Sequence, residues 1–362
     1  MPTPILQFGT SRFLQAHADL FISEALERGE ALGKVTVVQT TGSAERARRL
    51  KALAAPDGFP VVIRGLKDGT EINREQRVTS VAKTLSTGTD WSEVEQVFDQ
   101  ALVVISNTGD TGYHVDADDV SGSVPTSFPG KLLALLYARF QRGGGPLTIL
   151  PCELVSRNGE VLKRITLKLQ ADRYPNSSFR PWLEENVIWA NTLVDRIVSE
   201  PIEPAGAIAE PYALWAIEKQ PGLVLPCTHA SVLAVDDLTP YEKLKLHILN
   251  LGHTVLADFW MKEGRRSDET VREILADTFV AERLTQIYLE EVVPGFAAKD
   301  LGEQAEAYVA ATMERFNNPF LDHKISDIAN HHAEKVIRRI VDFKEWTPTV
   351  SMPELSAIAG IQ

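Results

Sequence analysis

The chain is short of cysteine, of long apolar runs and of positive charge, and each shortage excludes something. Only two of its 362 residues are cysteine, Cys152 and Cys227, in unlike contexts. That is too few for a disulfide framework; it suits a reducing compartment with both sulfurs as buried thiols. No run of about 18 apolar residues occurs, so nothing reads as a membrane span. The opening MPTPILQFGTSRF has neither the basic stretch nor the long apolar stretch of a secretory signal. The resulting expectation is a soluble cytoplasmic protein. The formal charge is −12, and there is no basic stripe or RNA-binding aromatic signature, which argues against nucleic acid and anionic membrane as partners. No H-E-x-x-H and no Cys/His quartet is present, and the adjacent His331 and His332 point apart on a helix. A metal site drawn from His247, His253, His323, His331 or His332 therefore has no spacing behind it. Internal repeats and low-complexity segments are lacking too.

What remains is ordinary for a globular protein: 44% apolar and 24% charged residues. The length predicts two domains. The first third alternates strand and helix signals. PILQFG is an apolar run ending in Gly9, SRFLQAHADLFISEALERG reads as one helix, and KVTVVQTT is a second strand before the charged helix SAERARRLKALA. FPVVIRGLKDGTEINREQRVTSV reads as antiparallel strands about a KDG turn. WSEVEQVFDQ (helix), ALVVISNTG (strand), GKLLALLYARFQRG (helix) and LTILPCEL (strand) follow. This alternation predicts a Rossmann-like, doubly wound parallel sheet with helices on its faces. From Thr239 strand signals vanish, and helices are expected over Thr239–Glu263, Asp268–Val280, Glu282–Glu290, Leu301–Phe316 and Ile325–Val341. The expected division is a dinucleotide-binding domain, 1–236, and a mostly α-helical substrate domain, 237–362.

In a doubly wound sheet ligands sit at the carboxyl ends of the strands. Gly9-Thr10-Ser11-Arg12-Phe13-Leu14, between the first strand and its helix, is a degraded version of the Gly-rich pyrophosphate turn. Gly9, Ser11, Arg12 and Phe13 are its cofactor-binding candidates; a bare strand-to-helix turn is the alternative. Ser106, Asn107 and Thr108, ending a later inner strand, are the nicotinamide-side candidates, against a simple strand-ending turn. The second strand has no acid at its tip. Ser43, Arg46 and Arg48 leave a 2′-phosphate possible, so NAD and NADP both stay open.

The segment TPYEKLKLHILNLGHT, Thr239–Thr254, reads as a well-started helix that is apolar around much of its circumference. Inside it lie Lys245, Asn250 and His253. On an α-helix Asn250 falls about 140° and His253 about 80° around from Lys245, so all three can border one cleft. Oxidation of a secondary alcohol needs such a set. A lysine amine takes the hydroxyl proton, an amide N–H stabilises the developing alkoxide, and an imidazole orients the hydroxyl or the amine.

The spacing Lys245-x4-Asn250-x2-His253, preceded by DDLTPYEKLK, resembles the polyol-specific long-chain dehydrogenases, the mannitol dehydrogenase family. FGTSRFLQAH, SNTGDTGY, PCELVSRNG, NTLVDRI, AEPYALW and NPFLDHKISDIANHHAEKV are similar to further family segments, so the resemblance covers most of the chain. It implies a metal-free, NAD-dependent enzyme, plausible as a monomer, that interconverts a sugar alcohol and a ketose. Lys245 would be the base, Asn250 the oxyanion donor and His253 a substrate-orienting group, with Asp195 and Lys335 as substrate-binding residues. The family also contains hexuronate reductases. Leu154 stands where members acting on mannitol carry asparagine, and the CEL form is more similar to the reductase branch. Asn158, one turn on, is either a replacement or a turn cap. A sugar-acid substrate would need a cation, from Arg12, Arg157, Arg196 or Lys335. A sugar- or nucleotide-binding regulator is the third reading, disfavoured by the intact Lys–Asn–His set.

Overall fold

The computed structural model describes residues 3–40, 44–109, 112–115, 119, 124–175 and 178–360, with no side chains for 44–47. It contains two compact units. One comprises Met1–Val62, Arg74–Ala209 and Ala213–Leu238; the other comprises Ile63–Asn73, Glu210–Tyr212 and Thr239–Gln362. The helical unit thus includes a hairpin tip and a three-residue piece that a single cut along the chain does not foresee.

The first unit is built on β1 (Ile5–Phe8), β2 (Val35–Gln39), β5 (Val81–Ser86), β6 (Val103–Ser106), β7 (Leu147–Pro151) and β8 (Val187–Trp189). Every residue of β1, β2, β6 and β7 is buried, as expected of strands covered on both faces. All five pairings are parallel, in the order β5-β2-β1-β6-β7-β8. Counting only these strands, that is the dinucleotide-binding order 3-2-1-4-5-6, whose switch point lies between β1 and β6. Helices α4 (Trp91–Gln100), α5 (Phe128–Gln141), α6 (Asn158–Arg173) and α7 (Phe179–Asn186) make the crossovers. Phe98, Leu132, Leu136, Leu162 and Phe179 pack with Leu6, Val104 and Ile149 in one core.

The helix expected after Gly9 is broken. It runs as α1 (Arg12–Gln15) and α2 (Ala18–Glu27), with His17 between them at φ −127°, ψ −97°. The His17 ring is fully buried, with Nε2 3.0 Å from the Leu214 carbonyl and its face 4.7 Å from the Phe13 ring. Two small sheets complete the strands. One has the order β10-β11-β3-β4, from β3 (Phe59–Lys67), β4 (Thr70–Val78), β10 (Val198–Pro201) and β11 (Ala207–Ala209). The other has the order β13-β12-β9, from β9 (Thr192–Asp195), β12 (Leu214–Glu218) and β13 (Val232–Val235). Asp68 and Gly69 both have positive φ, 52° and 72°, which suits the primed hairpin turn the KDG triplet predicts.

The second unit is helical apart from that tip. The expected single helix 239–263 is three pieces: α8 (Thr239–Leu244), a π-helical turn (Lys245–Asn250) and α9 (Leu251–Glu263). Two further π-turns, Ile287–Val292 and Ile337–Val341, interrupt other expected α-helices. Asp277 ends the expected Asp268–Val280 helix by capping a new one, its carboxylate accepting from Phe279 N. His331, at φ 56°, breaks 325–341 into α14 (Ile325–Ala329) and α15 (His332–Val336). Ile248, Leu251, Val255 and Leu256 pack with Leu284, Tyr288, Phe296 and Phe343 in a continuous core. Glu210 and Arg315 form a buried two-armed ion pair, at 2.9 and 2.8 Å, within this unit. Among the described residues no helix is long and apolar enough to cross a membrane.

Candidate active site

The switch point of the parallel sheet is held by a network that starts at Gly9. Its φ is 116°, and a Cβ there would stand 2.4 Å from the Asn107 carbonyl oxygen. Glycine therefore lets the tips of β1 and β6 close up. Ser11 caps α1 by accepting from Leu14 N, and its hydroxyl donates to Asn107 Oδ1 at 3.1 Å. Asn107 Nδ2 donates to the Cys152 carbonyl at 2.7 Å, tying β6 to the loop after β7. Asn107 thus meets Gly9 and Ser11 at the strand-end crest, while Ser106 and Thr108 bond to Glu153.

Glu153 anchors this crest and was not singled out by the sequence. It accepts from Ser106 Oγ (3.0 Å), Thr108 N (3.1 Å), Thr108 Oγ1 (3.0 Å) and Tyr113 O–H (3.2 Å). Burial nonetheless pushes its carboxyl above the ordinary range. The only signal for it was an acid directly after the apolar run LTILPC.

Arg12 is exposed, and Phe13 is half-buried, its ring stacked on His17 at 4.7 Å. Ser43 lies outside the described residues, as does the side chain of Arg46; Arg48 is exposed. Both cysteines are free and buried, and burial pushes Cys227 up to about 12, so neither is a ready thiolate.

In the helical unit the π-turn changes the geometry of the Lys–Asn–His set. Leu251 N bonds to the Leu246 carbonyl, five residues back. Residues five apart stack on a π-turn, whereas on an α-helix they diverge by about 140°. Asn250 is thereby swung toward the side of Lys245, and His253 follows it by three residues of ordinary α-helix. Lys245 and Asn250 are half-buried and His253 is buried. The turn is held at its far end. The Asn250 carbonyl accepts from Thr254 Oγ1 and from Arg339 Nη1, both at 3.0 Å, and Arg339 also reaches Thr254 Oγ1 at 3.0 Å. Tyr288 O–H donates to the Ile248 carbonyl at 2.9 Å, in a space that exists only because residue 252 is glycine.

His253 packs on Phe316 at 4.5 Å and meets the edge of His323 at 5.1 Å. Burial, and then the charges of His323, Arg339, Arg315 and Lys335, hold its pKa well below the ordinary value. It is a neutral imidazole, with one nitrogen to donate and one to accept. His247 is also neutral, near 4 through burial, and its Nδ1 lies 3.0 Å from the Arg339 carbonyl. Lys335 Nζ donates to the Ile328 carbonyl at 2.7 Å, and burial lowers its pKa.

Asp195 is buried at the end of β9, while the neighbouring Arg196 donates to the Ala16 carbonyl at 2.7 Å. Arg157 pairs with Glu160 and Glu218. Leu154, at the asparagine position, is 77% exposed. Asn158 does not replace it. Its Nδ2 donates to the carbonyls of Pro151, Glu153 and Thr192, and its Oδ1 accepts from Gly159 N and Thr192 N, all within 3.2 Å. It is a buried stitch with no capacity left. Among the described residues no group of three His, Cys, Asp or Glu could hold a metal.

A Rossmann-type sheet with a glycine at its switch point, together with a separate helical unit, defines a dehydrogenase-like two-unit protein. Residues 3–223 match the Mannitol dehydrogenase Rossmann domain and residues 237–347 the Mannitol dehydrogenase C-terminal domain. An altronate oxidoreductase of Halalkalibacterium halodurans is 30% identical over 366 residues, covering 94% of this chain and 70% of the relative. An altronate oxidoreductase of Bacillus subtilis is 30% identical over 372 residues, covering 95% and 75%. Substrate-free D-sorbitol dehydrogenase shares the fold at a TM-score of 0.81 and 21% identity, covering 99% of this chain and 86% of that one. Mannitol 2-dehydrogenase of Pseudomonas fluorescens, in a ternary complex with NAD and D-mannitol, does so at 0.72 and 19%, covering 99% and 84%. The chain belongs to the mannitol dehydrogenase family, and it is an oxidoreductase acting on a secondary alcohol.

Proposed function

We propose that this enzyme is NAD-dependent and oxidises one secondary hydroxyl of a hexonate-type sugar acid, reducing the matching keto acid in the other direction. The observation that carries the substrate class is the 30% identity to altronate oxidoreductases over 94% of the chain. Leu154 at the asparagine position favours the same branch over a hexitol and ketose pair, which the sequence alone puts first.

NAD suits the first unit because the switch point is backbone-lined. Gly9, Ser11, Asn107 and Thr108 leave main chain and small polar side chains there, and the Glu153 carboxylate beneath them is buried. The Gly9–Ser11 turn and the Asn107 crest would hold NAD, which would supply the acceptor for the hydride of the carbinol carbon. Lys245 accepts the hydroxyl proton on Nζ. The Asn250 carboxamide donates to the oxygen as negative charge grows on it. His253, held neutral, accepts or donates one hydrogen bond to fix that oxygen's direction. No residue in this set calls for a metal.

The reading is tested by following the absorbance of reduced nicotinamide with NAD and NADP against hexonates and hexitols, before and after exhaustive chelation. Turnover of altronate with NAD, undiminished by chelation, is expected. Cofactor binding with no turnover of any hexonate or hexitol would replace it with a regulator on the same fold.

A further inference from the structure

Lys335 and Arg339 of the helical unit both place positive charge near His253. Lys335 on α15 and Arg339 on the π-turn Ile337–Val341 are four residues apart, about one turn, and both are half-buried. Lys335 Nζ makes one protein hydrogen bond, to Ile328 O, and has two N–H donors left. Arg339 commits Nη1 to Asn250 O and Thr254 Oγ1, which leaves the Nε and Nη2 donors. Through the first of these contacts Arg339 is fastened to the residue proposed as oxyanion donor.

The acids on the surrounding elements are engaged elsewhere or face water. Asp258 pairs with Lys262 and His332, Glu334 with His331, and Glu210 with both arms of Arg315. Asp327 is exposed; its charge acts on His323, and that of Lys335 opposes it. Among the described residues neither Lys335 nor Arg339 has a carboxylate partner. Half-buried cations left unpaired are costly, and one bound anion removes the cost for both.

We propose that Lys335 and Arg339 form a carboxylate subsite beside His253, which binds the acid group of the substrate and makes the enzyme prefer hexonates to hexitols. The proposal rests on the reading that Asn250 and His253 hold the reacting hydroxyl. A carboxylate offers two oxygens in one plane, matching the free edge of a guanidinium, with the lysine as a second point charge. A hexitol offers only neutral hydroxyls and leaves both charges unanswered. Lys335 enters the family resemblance as a substrate contact; charge recognition, and Arg339 as its partner, are what the structure adds.

The test compares the full-length enzyme with Lys335→Met, Arg339→Gln and Arg339→Lys, using altronate and mannitol as probes with saturating NAD. Where mannitol is not turned over, its inhibition constant against altronate takes the place of its KM. Lys335→Met and Arg339→Gln should each lower the altronate-to-mannitol preference at least tenfold, chiefly through KM for altronate. Arg339→Lys, which keeps the charge, should retain more of the preference than Arg339→Gln. Unchanged preference in Lys335→Met and Arg339→Gln, with NAD affinity intact, overturns the subsite while leaving the hexonate reading in place. A wild-type enzyme that turns over mannitol and ignores altronate overturns the hexonate reading itself. Preference for a hexitol phosphate over both probes overturns the carboxylate assignment.

Discussion

Gly252→Ala puts the packing around the π-turn under direct strain. A Cβ at this position would stand 1.8 Å from the Tyr288 hydroxyl and 3.0 Å from Phe316 Cε2. Tyr288 is fully buried and cannot swing into water, so the new methyl must push it aside. Overpacking of this kind costs about 1–3 kcal/mol. The displaced hydroxyl loses its 2.9 Å bond to the Ile248 carbonyl. Leaving that buried pair unsatisfied costs about another 1–3 kcal/mol. Alanine's better helix propensity returns about 1 kcal/mol. The expected net loss is roughly 1–5 kcal/mol, read as a lower urea midpoint at unchanged slope. Tyr288→Phe removes the atom that clashes and should relieve part of the defect. The double variant is therefore expected to be more stable than the two single losses predict, by at least about 1 kcal/mol. A Gly252→Ala variant as stable as the wild type, or strictly additive losses, would refute this account of the turn.

Three other outcomes follow. Burial raises the Asp19 carboxyl to about 7, partly offset by its bond from Gln7. The unfolded chain releases this proton near 3.9, so stability should fall as pH rises from about 4 to 7, by roughly 4 kcal/mol from this group, and then level off. Asp19→Asn should flatten that slope in pH-dependent denaturation curves. Arg315→Met strands Glu210 in the core and should cost about 3–5 kcal/mol, while adding Glu210→Gln should recover part of it in the same melts. Asn158→Ala removes three carbonyl contacts and two accepted N–H bonds that tie the start of α6 to β7, the loop after it and β9, and should lower the urea midpoint by the equivalent of more than about 2 kcal/mol.

The alternation of apolar strands with helices made the parallel sheet legible, because both faces of β1, β2, β6 and β7 are covered and their sequences are mostly apolar, with single buried polar residues such as Gln7 and Thr148. Strands such as β8 and β11 were not legible, since three residues carry no period to read. The Lys–Asn–His set could be picked out by residue type and spacing, but the π-turn that aligns it has no propensity signal. It shows only in long-range partners, Arg339 at Asn250 and Tyr288 at Ile248. Glu153 was hidden for the same reason, as its donors come from β6 and from Tyr113. Asn158 looked like a turn residue, and only its bonds to β7 and β9 reveal a structural stitch.

The central claim is that Lys245 takes the proton from the substrate hydroxyl. Its sharpest test is the turnover of Lys245→Ala with NAD and the preferred substrate, without and with an added primary amine. The account predicts a fall in kcat of about 10²–10⁴-fold, unchanged NAD affinity and partial restoration by the amine. Near-normal turnover in that variant would contradict it.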